Sequence, residues 1–256
     1  MSHTDLPIST GWLLDASDFH NKEVITTVYL IYCPKTKSKG TGFLLRNGII
    51  VTNWHVIKDC SANEVLALSS LNKQIEFASV KFDANRDIAL LFSKERIHGG
   101  LEIDNSIIKT ETKVITWGHP LAYNGPAPIL SVGYIAGFKD HKKASGVVRH
   151  YIINGALNPG NSGGPLLIQG TEKIVGIVVA KHAPITPFLQ SALQALANQK
   201  AGLIYSASDE NGNSSSLSEG QIVSMLLQHQ RMMTQVMLGE AVASAELISY
   251  LKELSL

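Results

Sequence analysis

The chain has 256 residues, 45% of them hydrophobic and 17% charged, with a net charge of +1. This is an ordinary globular composition with enough apolar material for a large core. The near-neutral charge excludes strong electrostatic capture by nucleic acid or an anionic membrane surface, and no apolar run approaches the ~20 residues that a membrane-spanning helix needs.

Residues 1–23 contain one apolar knot, Trp12-Leu13-Leu14, and otherwise read as an irregular N-terminal arm. The start, MSHTDLPIST, has neither the basic nor the apolar region of a secretory signal. The two cysteines, Cys33 and Cys60, are too few for a disulfide framework and read as free thiols of a reducing compartment. A cytoplasmic location is the expectation from both observations.

From Val24 the text becomes strand-like. VITTVYLIYC is β-branched and aromatic, GTGFLLR follows, and Asn47-Gly48 signals a hairpin into IIVTN. Further runs are EVLALS, IEFASVKF, DIALLFS, KVITWG, ILSVGYIAGF, VVRHYIIN, PLLIQ, KIVGIVVA and GLIYSAS. A dozen short strands separated by turn residues predict an all-β barrel or sandwich. Two helical stretches interrupt the pattern. In the first, over 187–199, Thr186 can cap the N-terminus and Pro187 occupies the first helical position. The second follows a polar linker over 209–216 and gives a C-terminal helical extension over 217–256, which Gly239 can divide in two.

The chemistry concentrates in Asn158-Pro159-Gly160-Asn161-Ser162-Gly163-Gly164-Pro165. A serine among glycines reads either as a turn between strands or as a nucleophile. In the second reading Gly160 lets its own N–H and that of Ser162 point at one spot, an oxyanion hole for a substrate carbonyl. Such a serine needs a base. His55, directly after the strand IIV, supplies one, and Asp87, opening the apolar strand IALL, supplies a carboxylate to hold its ring. Singly, each has a bland reading as a loop or core residue. In the order His, Asp, Ser, each beside its own local signature, they predict a nucleophilic triad.

With these residues in view, G-T-G-F, V-T-N-W-H-V, R-D-I-A-L-L and N-P-G-N-S-G-G-P resemble the chymotrypsin/trypsin superfamily, and more narrowly the bacterial Deg/HtrA-type peptidases. The resemblance covers roughly residues 24–208, the expected peptidase domain. It implies two six-stranded antiparallel β-barrels, with His55 and Asp87 from the first and Ser162 from the second. It also implies peptide-bond hydrolysis through an acyl-enzyme, without metal or cofactor. Asn161 stands where zymogen-activated members carry an aspartate, so activation by N-terminal clipping is not expected. Val56 stands where secreted members have a half-cystine, and Trp54 is bulkier than is common there.

The position six before the serine is Ala156, and the strand Val178-Val179-Ala180-Lys181 is expected to line the opposite wall and pair with substrate backbone. Together they imply a pocket for small or medium aliphatic side chains. The helix over 187–199 falls beside that pocket in the family and can be decoration or a lid. His98, His119 and His182 read as loop residues, and nine histidines without close spacing predict no metal site. The expected partner is a protein or peptide substrate, with no nucleic acid and no membrane. Leu247, Leu251 and Leu254 and the methionines of the tail leave self-association or a regulatory partner open for the C-terminal helices. The rival reading of the whole chain is a protease fold retained as a non-catalytic binding module. Against it stands the complete set His55, Asp87, Gly160 and Ser162.

Overall fold

The computed structural model describes residues 8–121, 123–143, 146–180, 186–208, 214–233 and 237–256. The N-terminal stretch is helical where an irregular arm was expected. It forms α1 (Ile8–Asp15) and α2 (Phe19–Thr27). Asp18 caps α2 by accepting from the Asn21 N–H, and Val24, Ile25 and Thr27 are buried. The β-branched run VITT therefore enters a helix, because a cap and tertiary burial together outweigh strand propensity. The first strand begins at Val28, four residues later than the sequence pattern suggests.

The first sheet comprises β1 (Val28–Cys33), β2 (Ser38–Leu44), β3 (Ile49–Thr52), β4 (Leu66–Ser69), β5 (Gln74–Ile75), β6 (Phe77–Asp83) and β7 (Ile88–Ser93). Its order is β5-β4-β1-β2-β3-β7-β6, an open half-barrel. The expected Asn47-Gly48 hairpin joins β2 to β3, with Gly48 at φ +84° donating to Leu45 O. A single-turn helix, α3 (Trp54–Ile57), follows β3.

Cys33 and Cys60, expected as free thiols, are joined in a disulfide with Cα atoms 6.1 Å apart. The bridge closes a loop with a sequence separation of 27. That loop contains β2, β3 and α3, so strand pairing brings the two sulfurs together and spacing along the chain does not reveal it. The thiol argument for a reducing compartment falls with this bridge.

The second sheet contains β8 (Glu102–Ile103), β9 (Lys113–Gly118), β10 (Ile129–Lys143), β11 (Gly146–Gly155), β12 (Pro165–Ile168) and β13 (Lys173–Val179). Residues 182–235 then make a separate compact unit. It holds α4 (Pro187–Asn198), the hairpin of β14 (Ile204–Ser208) and β15 (Ser214–Ser218), and α5 (Glu219–Met233). Thr186 caps α4 as expected, accepting from the Leu189 N–H. Within this unit α4 and α5 are tied by Ser224 Oγ donating to Leu193 O at 3.0 Å.

The chain ends with β16 (Leu238–Ala243) and α6 (Ser244–Glu253). Two expectations are corrected here. In the run over 202–208, Ile204–Ser208 pairs with Ser214–Ser218 and is not a barrel strand. The stretch over 217–256 is not helical throughout, because Leu238–Ala243 forms a strand between β11 and β13. Gly239 and Glu240 give LGEAVA a weak strand signature, yet five of its six residues are buried. The order β12-β9-β10-β11-β16-β13 returns to β12, so this sheet closes into a six-stranded barrel, with β8 added in parallel on β13. The fold is mostly β, with one closed barrel and one open one.

One core cluster joins both sheets to the terminal helix. Val51 and Leu90 from the first pack with Leu167, Ile177 and Val242 from the second and with Leu247 and Leu251 of α6. Leu254 packs against the same cluster. Two of the three leucines considered for self-association, Leu247 and Leu251, are thus spent on the core, each burial contributing ~1.5–3 kcal/mol, and Leu254 is partly buried against it.

Candidate active site

His55 and Asp87 are placed by one strand pair. In the antiparallel register of β3 and β7, Thr52 faces Ala89. Continuing it brings Trp54 to Asp87, and the Trp54 N–H donates to Asp87 O at 3.3 Å. Asn53 adds a side-chain bond to the same carbonyl at 2.9 Å. Asp87 sits at φ +57°, a left-handed turn that aspartate tolerates better than most residues. Its carboxylate then meets α3 twice. Oδ1 accepts the His55 N–H at 2.9 Å, and Oδ2 lies 2.7 Å from His55 Nδ1. Two oxygens on one residue fix both the backbone and the ring of the histidine. With Nδ1–H committed to Asp87, Nε2 is left as the proton acceptor. Trp54, beside it, stacks on Phe82 of β6 with ring centroids 6.0 Å apart.

Ser162 lies in the loop between β11 and β12, and that loop is held by its backbone. The Thr41 N–H donates to Ser162 O at 2.8 Å, and Thr41 Oγ1 donates to Gly160 O at 2.8 Å. The Leu121 N–H holds Pro159 O at 2.8 Å, and the Gly164 N–H holds Asn161 O at 3.0 Å. The carbonyls of residues 159–162 are therefore all taken up. Among the described residues, the N–H groups of Gly160 and Ser162 have no hydrogen-bond partner. In a trans peptide the N–H points opposite the preceding C=O, so anchoring Pro159 O and Asn161 O sets both donors' directions. The Asn161 N–H does not join them, because it donates to Asn158 O at 3.0 Å.

The glycines are required by space as well as by turn. Gly160 has φ +98°, and a Cβ there would collide with His119 O. Gly163 has φ +85°, and a Cβ there would run into Thr41 O and Thr52 Oγ1 and come within 2.9 Å of Asn53 N. The serine loop thus presses directly on the residues that precede His55. Gly40 completes the joint, since a Cβ there would meet Val56 Cγ2 at 2.6 Å and Ser162 O at 3.0 Å.

The hydrogen bonds of Ser162 Oγ run to Ala180. It accepts the Ala180 N–H at 3.1 Å and lies 3.4 Å from Ala180 O. The serine hydroxyl is therefore engaged at the end of β13, and among the described residues it makes no hydrogen bond to His55. His119 lies beneath the same loop. Burial pushes its imidazole from 6.5 down to about 3, with the Lys39 charge adding to the effect. It is a neutral, buried support whose Nε2 has no partner among the described residues.

The other expected site residues are placed differently. Ala156 is half-buried at the start of the serine loop. Val178 is fully buried, its N–H donating to Gly164 O and its C=O accepting from Gly163, each at 2.9 Å. β16 covers the ladder edge of Gly176–Val179. Val178 and Val179 thus build the wall behind the loop and are not open to substrate backbone, and the pairing with β16 ends at Val179. Lys181 lies outside the described residues, as does His182. Reading along the chain missed Thr41 and Thr52, and it placed Ala180 in the pocket wall without its bond to Ser162. The flanking glycines in G-T-G-F were the available signal for Thr41, since they mark a close backbone approach.

Residues 40–177 match the family model of the trypsin-like peptidase domain. An uncharacterized protein, y4bJ, of Sinorhizobium fredii is 33% identical over 153 residues, which is 56% of this chain and 22% of that protein. The magnetosome formation protease MamE of Paramagnetospirillum magneticum is 30% identical over 175 residues, 65% of this chain and 24% of its own. A probable periplasmic serine endoprotease, DegP-like, of Pseudomonas fulva is 31% identical over 157 residues, 56% of this chain and 29% of its own. The chain therefore spans less than a third of the length of these curated relatives. Among solved structures, the HtrA-type protease AlgW with tripeptide superposes with a TM-score of 0.54 at 18% identity, covering 72% of this chain and 64% of that one. The active form of the Rv3671c protease of M. tuberculosis gives 0.53 at 18% identity, covering 82% of each.

Proposed function

The chain belongs to the trypsin-like peptidase family, and on that premise we propose that it is a serine endopeptidase with His55, Asp87 and Ser162 as its catalytic residues. One observation carries the reading. The Asp87 carboxylate grips both the backbone N–H and the Nδ1 of His55, beside a serine loop whose two N–H groups are left without partners. Ser162 Oγ attacks the peptide carbonyl while His55 Nε2 takes its proton, and Asp87 stabilises the imidazolium that forms. The Gly160 and Ser162 N–H groups stabilise the developing oxyanion. His55 returns the proton to the leaving amine, and water releases the acyl group by the same route. The intact-mass increment left by a fluorophosphonate probe tests this. One adduct on the wild type, lost in Ser162→Ala, supports it, whereas no adduct on folded wild-type protein under any peptide condition would overturn it.

Two finer features belong to the proposal. The enzyme rests in a state that substrate must complete, because Ser162 Oγ is engaged by Ala180 and has to rotate toward His55. A peptide that competes for the Ala180 backbone and releases Ser162 Oγ is expected to speed fluorophosphonate labelling. The first subsite takes small or medium aliphatic side chains, since the half-buried Ala156 offers neither charge nor bulk. One methylene is worth ~1–3 kcal/mol in such a pocket, so the preference is graded. A P1 peptide series checks it, and strong selection for Arg, Lys, Asp or Glu would refute it.

A further inference from the structure

We propose that His141, His150 and Glu240 form a binding site for a divalent transition-metal ion of the zinc class on the closed barrel. None of these residues takes part in the peptidase chemistry described above. The strand register brings them together. His150 of β11 faces Lys139 of β10, and His141 lies two residues further along β10. Glu240 of β16 faces Ile152 of β11, again two residues from His150. Steps of two keep side chains on one face of a sheet, so the three groups converge from three adjacent strands.

The geometry is that of a ligand set. His141 Nε2 lies 2.9 Å and His150 Nδ1 3.1 Å from the same oxygen, Glu240 Oε2. The two imidazoles are 4.3 Å apart between centroids and tilted at 54°, so they are not stacked. The candidate ligand atoms all lie within 4.8 Å of one another. A tetrahedral ion with bonds of about 2.0–2.1 Å spaces its ligands ~3.3 Å apart. Opening the two short edges by a few tenths of an ångström, with the imidazole-to-imidazole edge, which lies within 4.8 Å, settling to the same spacing, admits the ion. His150 and Glu240 are buried, which fixes two ligands, and the partly exposed His141 leaves a way in. Lys139 Nζ holds the other carboxylate oxygen, Oε1, at 3.2 Å, the kind of outer hydrogen bond that orients a ligating carboxylate.

The donor set selects the ion. Two imidazoles and one carboxylate suit zinc and its neighbours, whereas calcium and magnesium demand mostly oxygen. Three protein ligands leave the fourth position to water. Bound there, the ion would staple β16, the strand that closes the barrel, to the β10–β11 hairpin. A buried carboxylate neutralised by two histidines and a lysine is the competing account of the same contacts, and it predicts no metal uptake.

Equilibrium dialysis of the chelator-stripped full chain against zinc decides between them. The wild type is expected to take up one equivalent and to unfold at a higher temperature, and His141→Ala to lose both effects. No uptake by the wild type, or equal uptake by a folded His141→Ala, would overturn the proposal. Should that variant fail to fold, cobalt substitution of the wild type serves instead. The visible bands of tetrahedral cobalt without thiolate charge transfer are expected, and a spectrum of six-coordinate cobalt would refute the site.

Discussion

The two sheets contribute to the site by different physics. The open sheet supplies His55 and Asp87 through side chains, placed by the register of just two strands and fixed by a two-oxygen carboxylate grip. The closed barrel supplies the Ser162 loop through backbone, with four consecutive carbonyls anchored by Thr41, Leu121 and Gly164. A side-chain device tolerates conservative exchange of its surroundings and fails when its own charge is altered. A backbone device is indifferent to charge and fails when a Cβ is added. The open sheet is therefore vulnerable chemically and the closed barrel sterically.

Exchanging the charge should break the first device most severely. His55→Ala is expected to lower kcat/KM by several orders of magnitude, up to ~10⁶, and Asp87→Asn by ~10⁴, with little change in Tm. Steady-state cleavage of a reporter peptide reads both. A loss of only a few-fold would mean that this pair does not activate the serine.

Adding a methyl group should break the second. Gly163→Ala places a Cβ against Thr41 O and Thr52 Oγ1 at a positive φ, so it is expected to lower Tm clearly and activity with it. Gly170→Ala, also at positive φ but with open space around it, is the control and should cost much less. Equal losses at the two positions would show that space around the serine loop is not the constraint.

The buried support under that loop should appear in the pH profile. His119 has a folded value of about 3 against 6.5 for the free group, so the unfolded chain binds more protons between those values. Its contribution to stability is complete above 6.5 and is lost as pH falls toward 3, with a slope approaching ~1.4 kcal/mol per pH unit. Urea denaturation across that window measures it, and His119→Gln should flatten the slope.

The smallest effect is expected where the terminal helix meets the aspartate's turn. Arg86, next to Asp87, bonds Asp83 at 2.6 Å and Glu253 of α6 at 2.7 Å. Hydrogen bonding to Arg86 holds the Glu253 carboxyl below its ordinary value, so this tie is present at neutral pH and fades as acid protonates it. Glu253→Gln should lower Tm slightly and leave kcat/KM within a few-fold, because exposed ion pairs contribute little. A larger drop in activity than in stability would show that α6 helps to aim Asp87.

The sequence by itself determined most of the strands and singled out the candidate site residues. His55, Asp87 and Ser162 each stand beside a local pattern, a strand end or a glycine turn, and local patterns can be read along a chain. The Thr186 cap and the Asn47-Gly48 turn were legible for the same reason. Tertiary structure decided whatever depends on residues far apart in the chain. It made LGEAVA a barrel strand, drew Cys33 to Cys60, and carried His141, His150 and Glu240 to one point. It also buried Val178 and Val179 behind the serine loop, because β16 covers an edge that looks open when β13 is read alone. Local propensity fixes what a segment can become, and pairing with distant strands fixes which of its faces and edges remain available.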